Sequence, residues 1–436
     1  MATSPRSLHL SRRAIFRGGA YAATGFAVAS LPFGRQLFAH DVSEAYPAAA
    51  ALAERYVNEG KVANMLLTFG MGQEDHAHTI ARGTLALGGT DEVDEDTLYR
   101  IYSMTKPITG MAVMMLIDDG LLGLDQPLYD ILPAFRDMQV LVDPDGPLDE
   151  TVPAERAITI RHLLTHTAGL GYLITSKGPL LKAYADSGIV GGRVSRLPIP
   201  GVPPVESPAS LAAWSENLAL LPLMYQPGAR WSYSASLDLL GRVIEVASGV
   251  SFPQFLKDRF FDPLGMSSTY FAVPKNELDR LTANYGVVGS SLLAIDTAAN
   301  SVFTDMPNVP LGGADLVSTP RDYDRFLRML LGYGELDGER VMGELAVRIG
   351  TSNLMPAAAS QPPSWVGEGH GAGGRVLGST FGWGGAAGTL ATVDYGLNMR
   401  LALFTQYTPA QVYSLREEYV DALESDLAPM RAARAA

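Results

Sequence analysis

The chain has 436 residues, 47% of them hydrophobic and 18% charged, with 45 Gly and 28 Pro spread along it; that composition builds globular domains with sizeable cores and excludes collagen-like and disordered chains. Its formal charge is −13, and the first 41 residues carry five Arg against one Asp, so the remainder is more acidic still and ill suited to nucleic acid or anionic membrane surfaces. Cysteine is absent, which removes disulfides, thiolate nucleophiles and Cys-ligated metals and leaves Ser, Thr, Lys, Tyr or a carboxylate for covalent catalysis.

Residues 1–41 open with a basic head, Arg6, Arg12, Arg13 and Arg17, followed by an apolar stretch from Gly18 to Phe33. This pattern resembles a twin-arginine export signal and is too short to span a bilayer. Passage through the twin-arginine machinery to the periplasm is expected, with cleavage near Ala39 and no stable membrane insertion. Residues 42–60 then predict a helix, and 62–72 and 76–88 two strands joined by a polar turn. At the far end, residues 388–395 and 398–407 alternate as strands and 410–427 form an amphipathic helix.

The two ends are thus built alike. They predict an α+β fold: an antiparallel sheet flanked by N- and C-terminal helices, assembled from residues 42–100 and 310–436. Residues 101–309 are expected to form an inserted, all-α domain, with helices at 107–119, 160–165, 236–248 and 252–261. Within it a flap spans about 173–230, because the stretch between Lys177 and Pro208 is too rich in Gly, Pro and Ser for a helix.

Three short segments carry chemistry. Ser103 and Lys106 stand three residues apart where a strand-like LYRIY meets an apolar helix, a spacing that puts both side chains on one helical face beside the unpaired N–H groups of the helix start. Tyr233, in WSYSASLDLLG, follows a QPGARW turn at the start of another helix; a cationic Lys beside a tyrosine favours its phenolate. Trp383, Gly384 and Gly385 lead into a strand, and paired glycines let backbone N–H groups approach a ligand. Singly, each has an ordinary reading as a helix cap, a core aromatic or a tight bend.

Taken in order, Ser-x-x-Lys, ITIRHLLTHTAGL, QPGARWSYSASLDLLGRVIE and FGWGGAAGT resemble the serine β-lactamase-like superfamily of penicillin-recognising enzymes over nearly all of the mature chain. Within it the likeness is to family VIII carboxylesterases, which have a class C β-lactamase fold and hydrolyse esters. The resemblance implies a β-lactamase/transpeptidase-like fold with the site in the cleft between its two parts. It implies Ser103 as nucleophile, Lys106 and Tyr233 as its proton-transfer system, and the backbone N–H groups of Ser103 and Ala386 as the oxyanion hole. Trp383, Gly384 and Gly385 are then substrate-binding residues, and His370, from the Gly-rich loop that precedes them, is a further candidate contact.

Two departures set selectivity. Where β-lactamases of this fold carry Tyr-x-Asn, this chain has Tyr233, Ser234, Ala235, and where they carry Lys-Thr-Gly it has Trp383, Gly384, Gly385. The first change removes a carboxamide and the second a cation that would face a carboxylate, so neutral, apolar esters are favoured over anionic antibiotics or peptidoglycan.

Other signals weigh less. His162 and His166 form a helical i, i+4 pair, but Leu163 stands where a zincin has its Glu, so a structural role is expected and no metal. His370 sits in a Gly-rich loop, solvated by default or in contact with substrate. Asp315, in GGADLVSTP, is expected to open another helix as a loop residue or cap and not as a catalytic acid. There is no Gly-x-Ser-x-Gly elbow, P-loop or dinucleotide fingerprint, and no cofactor is implied. The expected function is a secreted serine esterase for short- to medium-chain esters. The alternatives are a β-lactamase, a D-amino-acid peptidase, an amide hydrolase, an acyltransferase or, in a different class, an inactive peptidoglycan-binding module.

Overall fold

The computed structural model describes residues 42–197, 205–360 and 368–435. The export segment lies outside them, as do Ile199 and Val202 within the flap. Seven strands make the main sheet: β1 (Asn64–Met71), β2 (His78–Gly83), β3 (Gly369–His370), β4 (Arg375–Leu377), β5 (Thr380–Gly384), β6 (Leu390–Asp394) and β7 (Met399–Phe404). Their order is β3-β4-β5-β6-β7-β1-β2, with every pair antiparallel. The helices that matter to the site and core are α1 (Pro47–Asn58), α2 (Thr105–Asp118), α3 (Ile160–Leu164), α4 (Ser236–Ser248), α5 (Pro320–Leu331) and α6 (Leu415–Ala435).

The chain's two ends meet at the β1–β7 pair, where Leu66 lies opposite Phe404 and Leu67 opposite Leu403. Successive residues of a strand face opposite sides of the sheet, and here both sides are covered. Leu67, Phe69, Leu401 and Leu403 pack with α1 and α6 residues such as Leu52, Tyr56, Tyr419 and Leu423; Leu66, Phe404, Ala402 and Val393 face the large core built around α2, α4 and α5. Double coverage explains why apolar residues stand on both faces of β1 and β7. The terminal helices are also tied directly: the Ala48 and Ala49 N–H groups donate to the Asp426 carboxylate, each at 2.9 Å, so α6 supplies the acceptors and negative charge that the start of α1 lacks.

Helix α2 is apolar all round, and twelve of its fourteen residues are buried, the pattern of a helix enclosed on every side. It packs against α4, which ends where Gly249 turns left-handed at φ 76°. Three features of the middle region differ from expectation, the first being a short antiparallel pair, Gln139–Leu141 with Thr151–Pro153. Part of the flap, Gly178–Asp186, is helical with Pro179 in its first turn, where a missing N–H costs nothing. The middle region also contains a hairpin, Asn284–Val288 with Ser291–Asp296, which pairs through its first strand with Tyr407–Thr408. Its turn carries Gly289 at φ 61°, but the outward Val288 and Leu293 are exposed, so polar–apolar alternation never marked it as two strands.

Candidate active site

The segment leading to Ser103 is a two-residue strand, Tyr99–Arg100, paired with Val317–Ser318, followed by a single 3-10 turn, Tyr102–Met104. Tyr102 takes φ 43°, a region uncommon for a residue with a Cβ, and its buried hydroxyl accepts from the Asn284 side chain at 2.9 Å. The turn holds Ser103 half-buried one turn before Lys106, which is fully buried. Lys106 Nζ lies 3.2 Å from Ser103 Oγ and donates to the Gly313 carbonyl at 2.8 Å. Across the cleft, the Tyr233 hydroxyl donates to Ser103 Oγ at 2.8 Å, and Lys106 Nζ stands 4.6 Å from the Tyr233 ring centre. Three residues separated by up to 130 positions therefore converge on one oxygen.

Tyr233 lies in an extended stretch ahead of α4, which begins at Ser236, and not on the helix itself. Aromatic packing fixes it: Trp383 stacks on it at 5.8 Å and Trp231 at 6.3 Å, while His166 and Tyr172 approach at 4.8 and 5.6 Å. Thr175 Oγ1 donates to its carbonyl at 3.0 Å.

The carbonyl facing Lys106 is set by a loop that sequence reading did not single out. Thr109 Oγ1 donates to the Gly312 carbonyl at 2.7 Å, and the Gly313 N–H donates to Asp238 Oδ1 at 2.7 Å. These two bonds clamp both ends of one peptide and aim the next carbonyl, that of Gly313, at Lys106. Burial pushes the Asp238 carboxyl up to about 7, against the pull of Lys106 and the Gly313 N–H. The only trace of Asp238 in the sequence is an acid within the apolar run of α4. Asp315 does not open a helix: it is buried, accepting from the Arg193 and Leu311 N–H groups at 3.2 and 3.1 Å, and α5 starts later behind a Thr319 cap.

Strand β5 ends at Gly384, beside the turn that holds Ser103. A side chain on Gly385 would run into the Ile101 carbonyl and the Thr389 hydroxyl, so only glycine brings this backbone so close to the nucleophile's strand. Ala386 follows, exposed toward solvent.

The histidines depart most from expectation. His370 is not in an open loop: it lies on β3 with no exposed surface to offer a substrate, and its ring packs against those of Trp383 (5.4 Å), His166 (5.3 Å) and Trp231 (6.1 Å). Its Nδ1 lies 3.1 Å from the Gly371 carbonyl, an acceptor that requires the proton on Nδ1. His162 and His166 do not share a helix, because α3 stops at Leu164 and His166 sits at φ 54°. His162 closes a capping box with Thr159; His166 Nδ1 accepts from the Ser234 N–H at 3.2 Å. Each is used in a different local structure.

Burial pushes His370 down to about 4 and His166 well below its ordinary value, so both rings are neutral at pH 7. The native His370 resists protonation while the unfolded chain takes up a proton below about pH 6.5, so its contribution to stability is complete above that value and is lost as pH falls toward 4, by about 3 kcal/mol. Thermal melts at pH 7 and pH 5 should show a drop for the wild type that is visibly smaller in His370→Gln. An equal drop in both proteins would assign the acid sensitivity elsewhere.

The chain is similar to known proteins over most of its length. The chain is 35% identical to Protein Rv1367c of Mycobacterium tuberculosis over 336 residues, covering 73% of this chain and 79% of that one. It is 30% identical to the lovastatin esterase of Penicillium rubens over 286 residues, covering 63% and 66%. Among solved structures, EstCE1, described as a hydrolase with promiscuous acyltransferase activity, superimposes with a TM-score of 0.69 at 22% identity over 87% of this chain and 98% of its own. The family profile described as Beta-lactamase matches residues 45–424, and the chain belongs to that family, the serine β-lactamase-like superfamily of hydrolases and acyltransferases.

Proposed function

We propose that this protein is a serine hydrolase of the family VIII carboxylesterase type, cleaving short- to medium-chain esters through an acyl-enzyme on Ser103. The observation that carries the reading is the bracketing of Ser103 Oγ by Lys106 Nζ at 3.2 Å and the Tyr233 hydroxyl at 2.8 Å, since a serine hydroxyl is a weak nucleophile until a base takes its proton. In the reacting form the Lys106–Tyr233 pair accepts that proton as Oγ bonds to the ester carbonyl carbon. The carbonyl π pair moves onto oxygen, where the Ser103 and Ala386 N–H groups receive the negative charge. Collapse breaks the ester C–O bond, and the departing alkoxide takes the proton held by the pair. Water then attacks the acyl-enzyme with the same groups in the same roles, releasing the acid and regenerating Ser103.

The wall formed by Trp231, Tyr233 and Trp383 supports an apolar acyl group of limited length. Absence of a carboxamide at Ala235 disfavours amide-bearing β-lactams and peptides. Export to the periplasm belongs to the same reading and rests on Arg12 and Arg13; among the described residues no helix is long and apolar enough to cross a membrane.

A p-nitrophenyl acyl series run beside a chromogenic cephalosporin tests the substrate class. Esters of about two to six carbons should turn over at least about tenfold faster than long-chain lipid esters, since each methylene that cannot be seated forfeits binding. Cephalosporin cleavage should be slower again. The reverse order would make the protein a β-lactamase or peptidase.

A further inference from the structure

Arg416 stands at the start of α6, against the turn that follows β5. Its Nη2 donates to the Gly385 carbonyl at 2.7 Å and reaches the Thr389 carbonyl at 3.4 Å. The guanidinium is half-buried, its Nε is buried without a hydrogen-bond partner, and among the described residues it forms no ion pair with a carboxylate. Burial holds its pKa below the ordinary arginine value. A cation taken from water without a countercharge is a cost to the fold, so what it does for its one close partner, the Gly385 carbonyl, becomes the question.

That carbonyl belongs to the peptide joining Gly385 to Ala386. A trans peptide is planar, with its C=O and N–H pointing in opposite directions. With the carbonyl drawn to Arg416, the Ala386 N–H must point away from α6. Gly385 itself rests on the Ile101 carbonyl, two residues before the nucleophile. Left to itself, a Gly-Gly-Ala turn rotates its peptides cheaply, because glycine occupies both signs of φ. A charge-assisted bond to the carbonyl both stops that rotation and polarises the amide, making its N–H a stronger donor.

We propose that Arg416 is a positioning residue for the oxyanion hole: by holding the Gly385 carbonyl, it keeps the Ala386 N–H aimed at the oxygen that becomes negative during attack by Ser103. The inference rests on the acyl-enzyme reading. Arg416 touches no reacting atom and acts through the peptide alone.

The test uses Arg416→Met, Arg416→Lys and Ser103→Ala beside the wild type, with two substrates: neutral p-nitrophenyl butyrate and the anionic p-nitrophenyl monoester of glutaric acid. Removing an oxyanion donor outright costs about 10²–10³ in kcat, so a misaimed one should cost about 10- to 100-fold in Arg416→Met. That loss should be equal on both substrates, with KM within about threefold, and Arg416→Lys, which keeps the charge and one donor, should recover part of it. Affinity for phenylboronic acid, whose serine adduct places an oxygen in the same hole, should fall in parallel.

A purely structural role would lower Tm and the fraction of active sites while leaving kcat per active site unchanged, and would overturn the proposal. So would a loss confined to the KM of the anionic ester, which would make Arg416 a receptor for substrate carboxylates. If Arg416→Met does not fold, Arg416→Gln, which loses the charge, decides: reduced kcat at unchanged KM supports the role, and wild-type kcat overturns it. Turnover surviving in Ser103→Ala would remove the acyl-enzyme reading and this inference together. Ser103-dependent turnover with unaltered kcat in the Arg416 variants would remove the inference alone.

Discussion

Ser103→Ala should reduce ester hydrolysis by on the order of a thousandfold or more while leaving the fold intact. The substitution deletes a single oxygen, the one on which Lys106 and Tyr233 converge. It creates no cavity in the core, since Ser103 is only half-buried and the turn that carries it is set by Tyr102 and the Tyr99–Arg100 strand. The two hydrogen-bond donors left behind keep other company: Lys106 retains the Gly313 carbonyl and the Tyr233 hydroxyl can turn to water in the cleft. Thermal stability should therefore stay close to the wild type, and a steady-state assay with p-nitrophenyl butyrate reads the loss. Turnover near the wild-type rate would mean that the chemistry uses another nucleophile.

Tyr233→Phe should lower kcat by about 10³-fold with little change in stability. The ring remains, and with it the stacking on Trp231 and Trp383; what disappears is the hydroxyl 2.8 Å from Ser103 Oγ. Lys106 alone then faces the nucleophile at 3.2 Å. Groups that move one proton as a unit are not additive, so Lys106→Met combined with Tyr233→Phe should be scarcely slower than the worse of the two single variants. Losses that instead multiply would show that Lys106 and Tyr233 act in separate steps. Single-turnover release of p-nitrophenol separates acylation from deacylation and identifies the step each residue serves.

The reach of sequence reading over this site follows the range of the interactions involved. Ser103 and Lys106 are neighbours on one turn of chain, so their spacing alone predicts that they meet. Tyr233, 130 residues away, was a candidate from its turn and helix start, but only resemblance to other chains joined it to Ser103 and Lys106. His370 was misread because a local run of glycines looks open, whereas pairing of Gly369 with Val376 and packing on Trp383 bury it completely. His162 and His166 have helical spacing, yet the helix ends between them when the His166 backbone turns left-handed. Asp238 and Arg416 act on Gly313 and Gly385, each through a single hydrogen bond to a distant peptide, and a bond of that kind leaves no periodicity to read.

By itself, the sequence determined the α+β organisation, the union of the two ends in one sheet and the Ser-x-x-Lys pair, because each follows from hydrophobic period or from spacing within a turn. Tertiary structure alone decided how that pair is completed. Buried groups change their properties only after the chain has closed around them: His370 and His166 lose their charge through desolvation, Asp238 is held against Gly313, and Arg416 is carried by α6 to a carbonyl 31 residues earlier in the chain. Desolvation and the direction of a peptide dipole depend on what surrounds a residue in space, and no stretch of sequence contains that.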